Sequence, residues 1–205
     1  MTADKPKTRI QAKNQDAILK GALDVFAAEG FKGATLDAIA EAAGLSKPNL
    51  LYYFPSKEAI YLALIDTLLD AWLAPLSAID PGGDPVEEIL AYVLRKLDMS
   101  RTMPRESRLF ANEILQGMPH ISATIAGRLK VLVDDQAGLF ERWIADGRLA
   151  PVEPHHLIFS IWATTQHYAD FASQVEALVP GDETARFDGA RDFLDAFYRR
   201  ALTPS

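Results

Sequence analysis

Apolar positions recur along this chain at three- and four-residue steps, the spacing that lays a stripe along one face of an α-helix. Ile18, Ala22, Val25 and Phe26 mark the first such segment, Glu29 continues its spacing, and Gly30 stops it. Thr35 caps a short run over 36–43, with Asp37 in its first turn where the helix dipole favours an anion. Gly44 ends that run. Ser46 caps the next, with Pro48 in a first turn where a missing N–H costs little. Ser56 caps a long amphipathic segment that reaches about residues 72–76. After the break at Asp80-Pro81-Gly82-Gly83, Asp84, Pro85 and Glu87 form a start resembling a capping box. Pro104 opens a helix that ends near Gly117, and Pro119 opens one that ends at Gly147. Residues 155–179 form a long helix, and Asp182 caps a last one that runs to about Ala201. The spacing predicts an all-α fold of about nine helices, for no strand pattern reaches five alternating residues between turn signals.

Composition narrows the classes. A chain of 205 residues, 49% apolar, can bury a core without staples, and zero cysteines exclude disulfides, thiolate zinc sites and iron–sulfur clusters. The length suits one large domain or two modest ones, and the punctuation at Pro55-Ser56 divides it into 1–55 and 56–205. No run of about 18 apolar residues predicts a membrane span, and the polar start lacks an apolar signal core, so a cytoplasmic protein is expected. The net charge of −7 is unevenly spread. Residues 1–60 hold eight Lys and Arg against seven Asp and Glu, and residues 61–205 hold thirteen against twenty-one. Lys5, Lys7, Arg9 and Lys13 crowd the front as a basic arm. That asymmetry suits a small front module that meets a polyanion, or a merely solvated tail.

The two short helices joined at Gly44 have the geometry of a helix-turn-helix, in which the second reaches base edges in the major groove. Lys47 can reach phosphate or guanine, and Asn49 can both donate to and accept from an adenine edge. Pro48 starts the recognition helix. Tyr52 and Tyr53 carry hydroxyls for phosphate, Thr35 and Ser46 open helix N-termini toward it, and Lys57 adds a cation. Short Ser-capped helices with glycine turns also occur in all-α domains that bind no DNA.

The segment 35–59, TLDAIAEAAGLSKPNLLYYFPSKEA, with Ile18, Ala22, Phe26 and Gly30 before it, resembles the DNA-binding signature of the TetR family. The resemblance implies an all-α homodimer whose first three helices bind double-stranded operator DNA, and whose remaining helices form a ligand pocket and the dimer interface. The stretches 69–76, 107–110 and 156–171 resemble, within that family, the regulators of pyrimidine utilisation, which sense uracil and thymine. The implied effector is uracil or thymine, with no cofactor and no metal.

Trp162 and Gln166 share a face at i, i+4, while Trp72, Leu69 and Leu73 share an arc of the helix after the recognition helix. A uracil-sized ring needs an aromatic slot and an in-plane partner that donates and accepts. The two tryptophans can supply the slot and the Gln166 carboxamide the partner. Plain core packing remains open for both tryptophans. The amide can flip, so something must fix it, with Thr165, His167 or a buried water as candidates. Asn112 and Gln116, an i, i+4 pair, could reach the cavity but better suit a capped or solvated surface, and Arg108 suits a carboxylate such as Glu113. His155 and His156 are adjacent and share no helical face, which argues against a metal site. No phosphate loop or nucleophile–base pair speaks for an enzyme. The helix from Ser56 to about Leu76 would link DNA module to pocket, and the last two long helices, with Phe187, Phe193, Leu194, Phe197 and Tyr198, would divide between core and dimer interface. A regulator that answers to a different small planar or apolar ligand remains the alternative.

Overall fold

The computed structural model describes residues 9–204, so Lys5 and Lys7 of the basic arm lie outside the described residues. The chain folds into two compact units, Met1–Leu69 and Asp70–Ser205. Among the described residues there is no strand.

The first unit holds α1 (Arg9–Gly33), α2 (Leu36–Ala42), α3 (Lys47–Tyr53) and the opening turns of α4 (Lys57–Ser77). Gly30 takes φ 68° and ψ 173°, so α1 breaks where the apolar spacing ends and one further turn follows. Ile18, Ala22 and Phe26 of α1, Ile39 of α2 and Leu50 of α3 are buried. A Cβ on Gly21 would lie 2.8 Å from the Ala43 nitrogen, so glycine lets the backbones of α1 and α2 meet there. Thr35 accepts from the Ala38 N–H and Ser46 from the Asn49 N–H, capping α2 and α3 as expected. Gly44, at φ 67°, donates to Glu41, and Leu45 to Ala40, which closes the end of α2 and sets the turn into α3. The Tyr61 ring lies edge-on 5.0 Å from Phe26 and from Phe31, tying α4 to α1.

α4 is long and apolar enough to cross a membrane by length and composition alone, although Asp66 and Asp70 interrupt its apolar residues. Just over half of that apolar window is buried, the mark of a core helix.

The second unit is built from the end of α4, α5 (Pro85–Thr102), α6 (Pro104–Leu115), α7 (Ser122–Thr124), a π-helical turn (Ile125–Leu129), α8 (Lys130–Ala145), α9 (Pro154–Asp170), α10 (Ala172–Leu178) and α11 (Glu183–Leu202). Asp84 accepts from the Val86 and Glu87 N–H groups, yet the box is not reciprocal: the Glu87 carboxylate pairs with Arg199 of α11. After α6, Gly117 and Met118 take φ 84° and 60°. Helix therefore resumes at Ser122, three residues later than Pro119 promised. From there α7, the π turn and α8 run on as one rod. The helix expected over 155–179 divides at Phe171 (φ −116°, ψ 32°), which makes ten rods among the described residues. The core joins Ile89, Val93 and Leu97 of α5 to Phe140 and Trp143 of α8, Ile158 and Ile161 of α9, and Leu194 and Tyr198 of α11.

Candidate DNA interface and effector site

In the first unit, Lys47, Pro48 and Asn49 are exposed on the first turn of α3, and Tyr52 stands out at 71% exposure. Lys47 pairs with Asp37 of α2 at 2.9 Å, a solvent-exposed pair of small energetic weight that leaves the ammonium open to a stronger anion. Tyr53 is half-buried and accepts from the Asn14 side chain at 2.8 Å, so its hydroxyl fastens α3 to α1. Lys57 reaches back to the Phe31 and Ala34 carbonyls at 2.7 and 2.8 Å, with its ammonium 4.7 Å from the Phe31 ring centroid. Two of its three protons thus satisfy carbonyls at the end of α1. The sequence showed a cation there but not this tie.

In the second unit Trp72 and Trp162 are joined through α5, whose Tyr92 and Lys96 the residue pattern did not single out. Tyr92, Lys96 and Ser100 stand at i, i+4, i+8 on α5, and Trp162, Gln166 and Asp170 stand at the same steps on α9. The Trp162 indole donates to the Tyr92 hydroxyl at 2.7 Å. Trp72 is 8% exposed, and the Lys96 ammonium sits 4.3 Å from its ring centroid. The Trp72 indole nitrogen is buried without a partner among the described residues. Lys96 is 1% exposed, and burial pulls its amine down to about 7, with Asp170 opposing. Burial pushes the Asp170 carboxyl up against the pull of Ser107, Arg108, His167 and Lys96. Ser107 of α6 donates to Asp170 at 2.6 Å. Burial likewise pushes the Tyr92 hydroxyl above the ordinary tyrosine range.

Gln166 is half-buried, one turn from Trp162. Neither named candidate fixes it. The Thr165 hydroxyl turns back to the Ile161 carbonyl at 2.7 Å, and His167 stacks on Phe171 at 4.9 Å. Leu69 is buried in the first unit. Leu73 lines a surface cleft of about 580 Å³ with Asp70 and Arg128, themselves an ion pair. Arg108 donates to the Ala169 carbonyl at 3.3 Å rather than to Glu113, whose carboxylate accepts the His120 N–H at 2.8 Å. Asn112 and Gln116 are exposed. Lys96 was legible in principle, being the charged residue in the apolar face that Ile89, Val93 and Leu97 define on α5.

Residues 18–64 match the family model for bacterial regulatory proteins of the tetR family, and residues 65–205 match that for the YcdC-like protein C-terminal region. The chain belongs to the TetR family. It is 51% identical over 177 residues to the HTH-type transcriptional regulator RutR of Escherichia coli (strain K12), covering 86% of this chain and 83% of that one. It is 30% identical to the HTH-type transcriptional regulator EthR of Mycolicibacterium smegmatis over 63% of this chain and 55% of that one. The structure of the ketosteroid transcriptional regulator KstR2 of Mycobacterium tuberculosis matches over the full length of both chains, with a TM-score of 0.73 at 20% identity, which shows the shared fold. This TetR-family chain is a DNA-binding transcriptional regulator, and not an enzyme. The matched DNA-binding family model spans α2 and α3, and the first turn of α3 is exposed.

Proposed function

We propose that this regulator binds a palindromic operator as a cytoplasmic homodimer and releases it when uracil or thymine enters the second unit. On the DNA side, Lys47, Pro48 and Asn49 meet the groove. Thr35, Ser46, Tyr52, Tyr53 and Lys57 position the backbone of the two strands. Phe193 and Phe197, stacked at 5.8 Å and half or more exposed, form the apolar stripe of α11 that a symmetry mate would cover, while Leu194 and Tyr198 face inward.

The observation that carries the effector reading is Gln166: a carboxamide one helical turn from the Trp162 ring, half-buried, on a helix whose other inward groups are matched. An imide edge offers one N–H donor flanked by carbonyl acceptors, which two parallel bonds from a carboxamide fit. The identity to RutR and the resemblance to regulators of pyrimidine utilisation support the same ligand class. α4 is one unbroken helix that carries Lys57 near its start and Trp72 near its end, so a ligand that draws on Trp72 acts on the element that bears Lys57. Regulation then requires tighter ligand binding to the form that cannot hold DNA, with a coupling of about 1–3 kcal/mol.

Uracil titrated into the protein should quench tryptophan fluorescence and lower operator affinity in a mobility-shift assay. Absence of both responses up to roughly millimolar uracil and thymine would turn the reading to another planar or apolar effector. Gln166→Ala should keep operator binding and lose release.

A further inference from the structure

We infer that Lys96 is the oxygen anchor of the effector site: its ammonium, beside the Trp72 indole, donates to the C4 carbonyl oxygen of the bound base and so selects keto over amino edges. This rests on the pyrimidine reading above and names the group that decides within it.

One buried donor in this interior lacks an acceptor, and an ammonium lies against the same ring. The Lys96 side chain is almost wholly buried and lies over the Trp72 ring, and the Trp72 N–H has no partner among the described residues. An ammonium has three donors and no acceptor, and an indole nitrogen only donates. Leaving such groups buried and unmatched is costly. Nearby, the Tyr92 hydroxyl receives the Trp162 N–H and one oxygen of the Asp170 carboxylate receives the Ser107 hydroxyl, while the charge of that carboxylate acts on Lys96. A ligand oxygen at this ring would give the Trp72 N–H the acceptor it lacks and lie beside the Lys96 ammonium.

Gln166 cannot make the choice of base, since rotating its carboxamide exchanges donor for acceptor. A protonated Lys96 cannot exchange. Against a uracil or thymine carbonyl it makes a charge-assisted bond. Against the exocyclic amine of cytosine it sets donor against donor, which leaves both unpaired. The charged groups that bear on Lys96 are Asp170 and, through that carboxylate, His167 on α9 and Arg108 on α6; Tyr92 is the titratable group on its own helix, and α4 presents the uncharged Trp72. As pH rises through the titration of Lys96, the amine gains a lone pair. Uracil affinity then falls and discrimination against cytosine narrows.

The test is calorimetry of the full-length wild type, Lys96→Met and Lys96→Gln with uracil and with cytosine, at about pH 6 and about pH 8.5. Melting curves would establish that each variant is folded. The wild type should bind uracil more tightly at the lower pH. Lys96→Met should lose about ten-fold or more in uracil affinity and lose the pH dependence, and Lys96→Gln should bind with intermediate affinity and no pH dependence. Wild-type uracil affinity with an unchanged pH profile in both variants would overturn the anchor and leave the pyrimidine reading standing. No uracil binding by the wild type would overturn both.

Discussion

In the unit Met1–Leu69 the polar groups that shape the backbone find their partners within the chain. Thr35 and Ser46 cap their helices, Asn14 donates to Tyr53, and Lys57 gives two protons to the end of α1. In the unit Asp70–Ser205 the interior instead holds an ammonium over an indole whose own N–H is unmatched, with a carboxamide one turn from a second indole. A module that presents fixed side chains to a groove gains from a closed hydrogen-bond ledger, because each satisfied cap stiffens the presenting edge. A module that must answer to a small molecule gains from leaving donors open, because the ligand then supplies what the fold withholds.

The largest effect is expected in the core of the first unit. Phe26→Ala removes a ring that is 1% exposed and contacts Tyr61 edge-on. It should cost about 3–5 kcal/mol and abolish operator binding. Calorimetric uracil binding should survive if the second unit folds independently.

Lys96→Met should act in the opposite direction on stability. The folded amine titrates near 7, well below an ordinary unfolded lysine at about 10.4. Between those values the unfolded chain binds more protons, so wild-type stability rises with pH by at most about 1.4 kcal/mol per unit. The variant should be more stable than wild type at neutral pH, with an advantage that shrinks toward about pH 9 in urea titrations. Gain of stability with loss of effector binding would mark a group kept for function. A variant less stable at every pH would mean that Lys96 holds the core together.

Salt separates the units next. Operator affinity should fall with a logarithmic slope near 0.9 per phosphate neutralised, whereas uracil binding, buried and made by an uncharged ligand, should move little. The smallest effect is expected at Ser46→Ala, about 1 kcal/mol from the lost cap on the Asn49 N–H, with weaker operator binding as its readout.

Much of this was legible from residue order. The caps at Thr35, Ser46, Asp84 and Asp182, and the stop at Gly44, are local chemistry, and the structure has each where the pattern set it. What escaped was tertiary. Lys57 on α4 finds its acceptors at Phe31 and Ala34, more than twenty residues back, and no window of sequence contains both partners. Tyr92 and Lys96 become part of the site only because α5 packs along α9. The break at Phe171 has no proline or glycine to announce it. In the candidate site Trp162 and Gln166 could be paired by their spacing on one helix, whereas the link from Trp72 to that pair runs through a third element.

An effector site of this kind accepts a keto pyrimidine and refuses an amino one. Calorimetry of the full-length protein with uracil, thymine and cytosine in parallel tests this most directly. Saturable binding of uracil and thymine with cytosine at least ten-fold weaker is the predicted result, roughly 1.4 kcal/mol or more of discrimination. Equal affinity for all three bases, or heat from none of them, would contradict it.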